Sequence, residues 1–396
     1  MTPVDSSTPT ASVDSLPKFD WTEMPFPVDR SAGWAQLRDL GPVVIHDGWH
    51  FLTRREDVLF ALRNPDVFSS QKVYANLGSP LPLIPLGIDP PEHTRYRHLL
   101  QPFFSPKALA SLMPSLRTQM GDIVDNILSK PTRECEVISE IAVPYPSQAF
   151  LTMFGLPLED RDRLIRWKDA SIAASAAHDM SEADMAPLIE FMGYLHEHIA
   201  RKREQPEDDL LSTLLGGDDP LDDTEALGLS FLFVLAGLDT VTSAIGSTFL
   251  LLAQNPEVRK CLIEDPEQIR VFIEEVVRLE PPAPLIQRVT TQEVTIGGVT
   301  LPPDSGVRLC LGALGRDDTD AISTDNIVMD QKVHPHWSYG GGPHRCLGSH
   351  LARIELGLVV NQWLQRVPDF SIKPDVQPRL VWPSNTFMLE SLPLVW

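Results

Sequence analysis

Residues 339–348 read Tyr339–Gly340–Gly341–Gly342–Pro343–His344–Arg345–Cys346–Leu347–Gly348, a glycine-dense turn that runs into a cysteine and then into a helical pattern. Leu347, Leu351, Ile354 and Leu358 follow at spacings of 4, 3 and 4, one apolar stripe of a helix predicted over 347–366. Cys346 is thereby placed at a helix N-terminus, where free N–H groups and the positive end of the dipole lower a thiol pKa and favour the thiolate. The three glycines let backbone pass close to the sulfur and to a flat group bound by it, an approach that side chains would block. A lone cysteine is more often a small buried apolar residue than a ligand. Its reading therefore turns on what surrounds it.

Upstream, the segment near Thr224 to Leu252 is apolar on nearly every face, with Leu227, Phe231, Val234, Ile245 and Phe249 among its residues, and should run through the interior. Asp222, Asp223 and Thr224 offer N-caps, and its roughly 30 residues would cross about 45 Å. Within it, Ala236–Gly237–Leu238–Asp239–Thr240 sets an acid and a β-branched alcohol in apolar surroundings, a conflict with helix-interior preference that points to function. The structural alternative has Thr240 bonding back to the Ala236 carbonyl while Asp239 pairs with a nearby Arg or amide. Both readings can hold together.

Further helical patterns cover 54–64, 92–100, 107–128, 158–176, 181–203 and 266–279. Val43 to Leu52 around Asp47–Gly48, and Val294 to Leu301 around Gly297–Gly298, read as two-residue hairpins, and Val307 to Leu311 as a further strand. The fold class is mainly α with small β-sheets. No repeat or linker divides the chain, so a single domain over 21–396 is expected behind a loose leader at 1–20. A formal charge of −21 and a pI near 4.8 exclude nucleic acid and anionic membrane faces as partners. Cys135, Cys261, Cys310 and Cys346 lack metal or redox spacing, and no uninterrupted run reaches the roughly 18 apolar residues of a span. A cytoplasmic, soluble monomer is expected.

The 339–348 run resembles the haem-binding signature of the cytochrome P450 family, F-G-x-G-x-H-x-C-x-G, with Tyr339 in the Phe position and the other fixed positions matched. The resemblance extends from Arg54–Phe68–Ser69–Ser70 to Leu392–Pro393, in the style of soluble bacterial members. It implies a triangular prism with haem b between the long central helix and the cysteine-loop helix, Cys346 as the axial thiolate on iron, and Tyr339, Gly340 and Gly348 close to the ring. Ala236–Gly237–Leu238–Asp239–Thr240 is similar to the family's oxygen-activation motif A-G-x-D-T. Ala236 and Gly237 would then border the haem, and Asp239 and Thr240 would relay protons to dioxygen. The haem propionates call for buried cations or donors, and His93, Arg97, Arg288 and His344 hold the matching positions. Each alone reads as a surface charge.

Glu275–Val276–Val277–Arg278 is similar to the family's E-x-x-R lock, which makes Glu275 and Arg278 structural residues. Without the resemblance it is an i,i+3 surface pair, and Glu274 pairs with Arg278 equally well. The family's third partner is an Arg shortly before the cysteine loop. Here the text is Val328–Met329–Asp330–Gln331–Lys332–Val333, so either Lys332 substitutes or the lock is a pair only.

By the same resemblance the chain is a monooxygenase. No flavin or nicotinamide domain is read, so electrons are expected from a ferredoxin served by an NAD(P)H-dependent ferredoxin reductase. An acidic ferredoxin needs a local basic patch, for which Arg345 and Arg353 are candidates. Positions that line the family's pocket are here Leu81, Leu83, Ile84 and Leu86; Leu232 and Leu235; Leu285 and Ile286; Phe387 and Met388. They imply a lipophilic small molecule of terpene, sterol, fatty acyl or aromatic type, unless several simply pack in the core. Two rivals are a peroxygenase, disfavoured by the intact Asp239–Thr240 pair, and a haem-thiolate sensor, for which no signalling segment is read.

Overall fold

The computed structural model describes residues 15–75, 81–176, 181–316 and 325–396. Asp47 and Gly48 take φ of 47° and 77°, the positive pair that a two-residue hairpin demands. The strands are β1 (Val43–His46), β2 (Trp49–Leu52), β3 (Phe68–Ser69), β4 (Glu134–Glu136), β5 (Leu285–Thr290), β6 (Val294–Ile296), β7 (Val299–Leu301), β8 (Gly306–Cys310), β9 (Ser371–Ile372) and β10 (Pro393–Val395). They form sheets of order β1-β2-β8-β5-β3, β4-β10-β9 and β6-β7. β5, which carries Leu285 and Ile286, was not read as a strand.

The helices are α1 (Arg30–Leu40), α2 (Arg55–Arg63), α3 (Gln71–Ala75), α4 (Glu92–Leu100), α5 (Pro106–Ala110), α6 (Met113–Leu128), α7 (Pro144–Phe154), α8 (Arg161–Ala176), α9 (Glu182–Glu204), α10 (Leu210–Gly216), α11 (Asp223–Gln254), α12 (Pro256–Glu264), α13 (Ile269–Leu279), α14 (Leu311–Leu314) and α15 (Ser349–Leu364). The single helix expected over 107–128 is two, because Pro114 sits in the first turn of α6, where its missing N–H costs nothing. α7 and α12 also open on proline, and their proline-broken text hid them.

A capping box starts α11: Glu225 N–H donates to Asp222 Oδ1 at 2.8 Å, and Asp222 N–H donates to Glu225 Oε2 at 2.9 Å. This helix is long and apolar enough to cross a bilayer, yet over half of its most apolar window is buried inside the protein, as befits a core helix. Its N-terminal half, with Ala226, Val234 and Leu238, packs with Phe154, Trp167 and Phe191. Its C-terminal half, with Ala244, Ile245 and Phe249, packs with Val276 and Trp363. Asp239 and Thr240 fall at the junction of these two cores.

Of the expected leader, residues 1–14 lie outside the described residues. The remainder is attached: Leu16 is buried, Lys18 bridges to Ile45, and the Phe19 ring meets Phe51 edge-on at 5.0 Å. Residues 16–20 are therefore part of the packed chain, because Phe19 and Trp21 find an aromatic surface to cover.

Candidate active site

Two of the three glycines before the cysteine have positive φ, Gly340 at 68° and Gly342 at 64°. A Cβ on Gly342 would also overlap the carbonyl oxygen of Leu62. Gly340 N–H donates to Trp337 O at 2.7 Å and Cys346 N–H to Tyr339 O at 2.8 Å, closing the loop on itself. α15 begins only at Ser349, so Cys346 lies just upstream of the helix rather than in its first turn. Burial pushes the thiol above its ordinary pKa, against the Gly348 N–H and the charges of Arg97, Arg345 and Arg353, which pull it down. Burial by apolar walls outweighs the donors that favour the thiolate, a balance that a bound cation would tip the other way. Its accessible surface faces a cavity rather than bulk water.

That cavity measures about 540 Å³. Cys346 lies on one wall with Tyr339, Gly340, His344 and Gly348; α11 supplies the facing wall with Leu232, Ala236, Gly237 and Thr240. A Cβ on Gly237 would meet nothing within 4 Å. Thr240 Oγ1 donates to Ala236 O at 2.9 Å, while Asp239 is held away from the cavity by Lys168 on α8, whose Nζ lies 2.5 Å from Asp239 Oδ1. Their side chains are 16% and 8% exposed. Burial opposes the Lys168 charge, but Asp239 and Asp169 overcome it and raise its pKa.

On the cavity's rim His93 and Arg97 extend from α4 and His344 from the cysteine loop, and Arg288 of β5 lies buried behind them, close enough for its charge to act on both imidazoles. The His93 and His344 rings are 4.2 Å apart, and Nε2 of each is buried without a hydrogen-bond partner. Burial, with Arg97 and Arg288 nearby, lowers the His93 pKa to about 4; burial, Arg288, His93 and Arg97 lower that of His344 to about 3. Burial likewise depresses Arg97 and Arg288. Among the described residues neither arginine pairs with a carboxylate. Asp89, 3.9 Å from His344 Nε2, is the one carboxylate beside them among the described residues. Two orphaned imidazole nitrogens and two unpaired arginines at one edge, small residues on the walls and a thiol between them fit a flat macrocycle with two carboxylates.

Among the described residues the lock closes without a second arginine as third partner. Arg278 Nε and Nη2 donate to Glu275 at 2.8 and 2.7 Å, Arg278 Nη1 and Nη2 to the carbonyls of Gly315 and Asn326 at 2.7 and 3.0 Å, and Val328 N–H to Glu275 Oε2 at 2.8 Å. Lys332 is exposed and takes no part. The cysteine loop is fixed instead through Glu274, which accepts from Arg353 at 2.5 and 2.8 Å and contacts His336 Nε2 at 2.7 Å. Arg353 also stacks on the Tyr339 ring at 4.3 Å. Despite its burial, His336 and Arg353 hold the Glu274 carboxyl down at about 2.

Leu86, Leu232, Leu285 and Ile286 line the cavity as expected pocket residues; Leu81, Leu83, Ile84, Leu235, Phe387 and Met388 do not. Ile84 is core, packed with Tyr96 and Leu100. Leu235 turns away because, Leu238 apart, the lining positions on α11 recur as 232, 233, 236, 237, 240, 241 and 244, one helical face that excludes it. Phe387 is drawn into a cluster with Trp21, Phe26, Trp34 and Trp382. Its N–H donates to Pro282 O at 2.9 Å and its carbonyl accepts from Ser243 at 2.5 Å. The turn therefore presents Asn385 and Thr386 instead. Other lining residues escaped the sequence reading, notably Phe104, Phe150, Met153, Gln287 and Glu355. Glu355 is 2% exposed, and burial pushes its carboxyl up to about 8.

A helical protein with a cysteine on one wall of an apolar cavity, and on the long helix an acid–alcohol pair whose alcohol faces that cavity, has the plan of a haem-thiolate enzyme. The Cytochrome P450 family model matches residues 175–320. Cytochrome P450 107B1 of Saccharopolyspora erythraea is 31% identical over 97% of this chain and 98% of its own. The biotin biosynthesis cytochrome P450 of Bacillus subtilis is 31% identical over 84% and 86%. The solved structure of P450BioI with a hexadec-9Z-enoic acid-ligated acyl carrier protein superposes at a TM-score of 0.82, with 29% identity over 92% of this chain and 97% of that one. The chain belongs to the cytochrome P450 family and is a cytochrome P450 monooxygenase.

Proposed function

We propose that this enzyme binds haem b through Cys346 and oxidises a lipophilic small molecule with dioxygen, drawing electrons from a separate ferredoxin and its NAD(P)H-dependent reductase in the cytoplasm. The observation that carries the reading is the set His93, Arg97 and His344 on the rim with Arg288 behind them, two imidazole nitrogens without a hydrogen-bond partner and two arginines without a paired carboxylate, beside a thiol that opens into an apolar cavity. When bound, haem supplies reductive activation of dioxygen and insertion of one oxygen atom into substrate. Cys346 would hold the iron, and those four residues would hold the propionates. Gly237 leaves space beside the Thr240 hydroxyl for a small molecule or water. Asp239 can move a proton toward Thr240 only when Lys168 releases it, so proton supply is tied to the position of α8.

Apolar residues of α7 and α11 exclude water and orient the substrate. Likeness to P450BioI makes an acyl chain one member of the substrate class. Arg353 is engaged by Glu274, which leaves exposed Arg345 as the freer cation for an acidic partner. Cys346→Ser is expected to abolish the red-shifted ferrous–carbonyl band of thiolate-ligated haem. Retention of that band would overturn the ligand assignment. Product formed with ferredoxin, reductase and NADPH, but not with peroxide alone, would support the electron route; the reverse result would replace it with a peroxygenase.

A further inference from the structure

We propose that the cavity recognises a hydrogen-bond-accepting oxygen on one end of its lipophilic substrate through Asn385 and Gln287, with Arg308 behind them. This deepens the monooxygenase reading and rests on it. Gln287 on β5 is the direct cross-strand partner of Arg308 on β8, so the two side chains share a face of the sheet. Arg308 is also in register with Phe51 on β2, and its guanidinium lies 5.2 and 5.3 Å from the ring centroids of Trp49 and Phe51. Arg308 Nη1 donates to Asn385 Oδ1 at 3.1 Å. Three strands and the 384–388 turn thus bring one cation and two amides together.

Arg308 has no carboxylate in an ion pair among the described residues, and its Nε is buried without a partner. Burial lowers its pKa. Arginine has only donors, so it must take the amide oxygen of Asn385, which leaves the two amide N–H groups for another acceptor. Asn385 and Gln287 both line the cavity, and Thr386 adds a hydroxyl beside them. The Gln287 side chain has no hydrogen-bond partner among the described residues. Elsewhere the substrate space is bounded by Leu86, Phe104, Phe150, Met153, Leu232 and Phe233.

Apart from the residues assigned to the haem propionates, an apolar chamber with a donor-rich, positively biased patch at Gln287 and Asn385 complements a hydrocarbon body that ends in a ketone, ester or carboxylate. A plain hydrocarbon would desolvate the amides and leave them unpaired, and sites built to make hydrogen bonds reject such analogues. The selectivity comes from the patch rather than from the fit of the apolar body.

Spectral titration of the haem-loaded enzyme with dodecanoate, the methyl ketone of matched length and dodecane tests this. The wild type should bind at least one oxygenated probe roughly tenfold more tightly than dodecane. Asn385→Leu and Gln287→Leu should each weaken that probe by roughly three- to tenfold and leave dodecane unchanged or tighter. Preference for dodecanoate that disappears in Arg308→Met would identify an anionic end; equal binding of the ketone would identify a neutral one. Equal affinity for all three probes, equal loss of all three in the variants, or no response to either oxygenated probe would overturn the proposal. Retention of the thiolate carbonyl band in each variant reports an intact fold, and its absence from the wild type would mark failure of the monooxygenase reading instead.

Discussion

Replacing Glu355 with glutamine should make this protein more stable, and increasingly so as pH rises. The carboxyl is buried in α15, has no hydrogen-bond partner among the described residues, and titrates at about 8 rather than 4.5 in the folded state. Between those values the unfolded chain has released a proton that the folded chain keeps, so wild-type stability falls as pH climbs from 4.5 toward 8. At pH 7 the burden is about 3 kcal/mol, from 1.36 kcal/mol per pH unit above the ordinary value. It shrinks to about 1 kcal/mol near pH 5 and reaches about 4 kcal/mol near pH 8. Glutamine is isosteric and always neutral, so Glu355→Gln removes the burden and leaves the packing alone. Denaturant unfolding of both proteins across this pH range should give curves that diverge steadily. An infrared band of a protonated carboxyl at neutral pH, missing in the variant, would identify the group directly. A stability difference that is flat with pH, or a less stable variant at pH 7, would refute the reasoning.

Breaking the Lys168–Asp239 pair with Lys168→Met strands a largely buried carboxylate and should cost about 3 kcal/mol. The double variant Lys168→Met/Asp239→Asn should recover much of that loss in a double-mutant cycle, whereas additive losses would deny the coupling. Glu274→Gln should lower stability by about 3 kcal/mol at pH 7. Because the folded carboxyl sits at about 2, that contribution is full above 4.5 and vanishes as pH falls through about 2; an acid-unfolding series checks it. Gly342→Ala forces a side chain into positive φ and against the Leu62 carbonyl. It should cost at least about 2 kcal/mol and reduce the haem-to-protein ratio, and a wild-type ratio with unchanged unfolding would contradict the loop geometry.

What could be read in the sequence was what is local. The bounds of α4 and α11 follow from periodicity and, for α11, from the Asp222–Glu225 box, whose partners are three residues apart. The β1–β2 hairpin follows from Asp47–Gly48. By contrast, Asp239 meets Lys168 across 71 positions and Glu274 meets Arg353 across 79, so no window of sequence could pair them. The alternatives read near 330, Lys332 as a substitute or a lock of two residues, left out Glu274 for that reason. Lining residues on α11 obey a helical face once its rotation is known. Asn385 and Thr386 depend on where a distant aromatic cluster anchors Phe387, and nothing in their own neighbourhood reveals it.

That aromatic cluster ties the two ends of the chain to catalytic selectivity. Trp21 stacks on Phe387 and packs at a tilt against Phe26, Phe51 and Trp382, and Trp382 Nε1 donates to Thr22 O at 2.9 Å. The stretch around Trp21 is thus a buttress for the turn that carries Asn385, although it does not line the cavity. Trimming an expression boundary past Trp21 would unseat that turn. Grafting the corresponding stretch from a relative would retune which molecules are accepted while every residue facing the substrate stays the same.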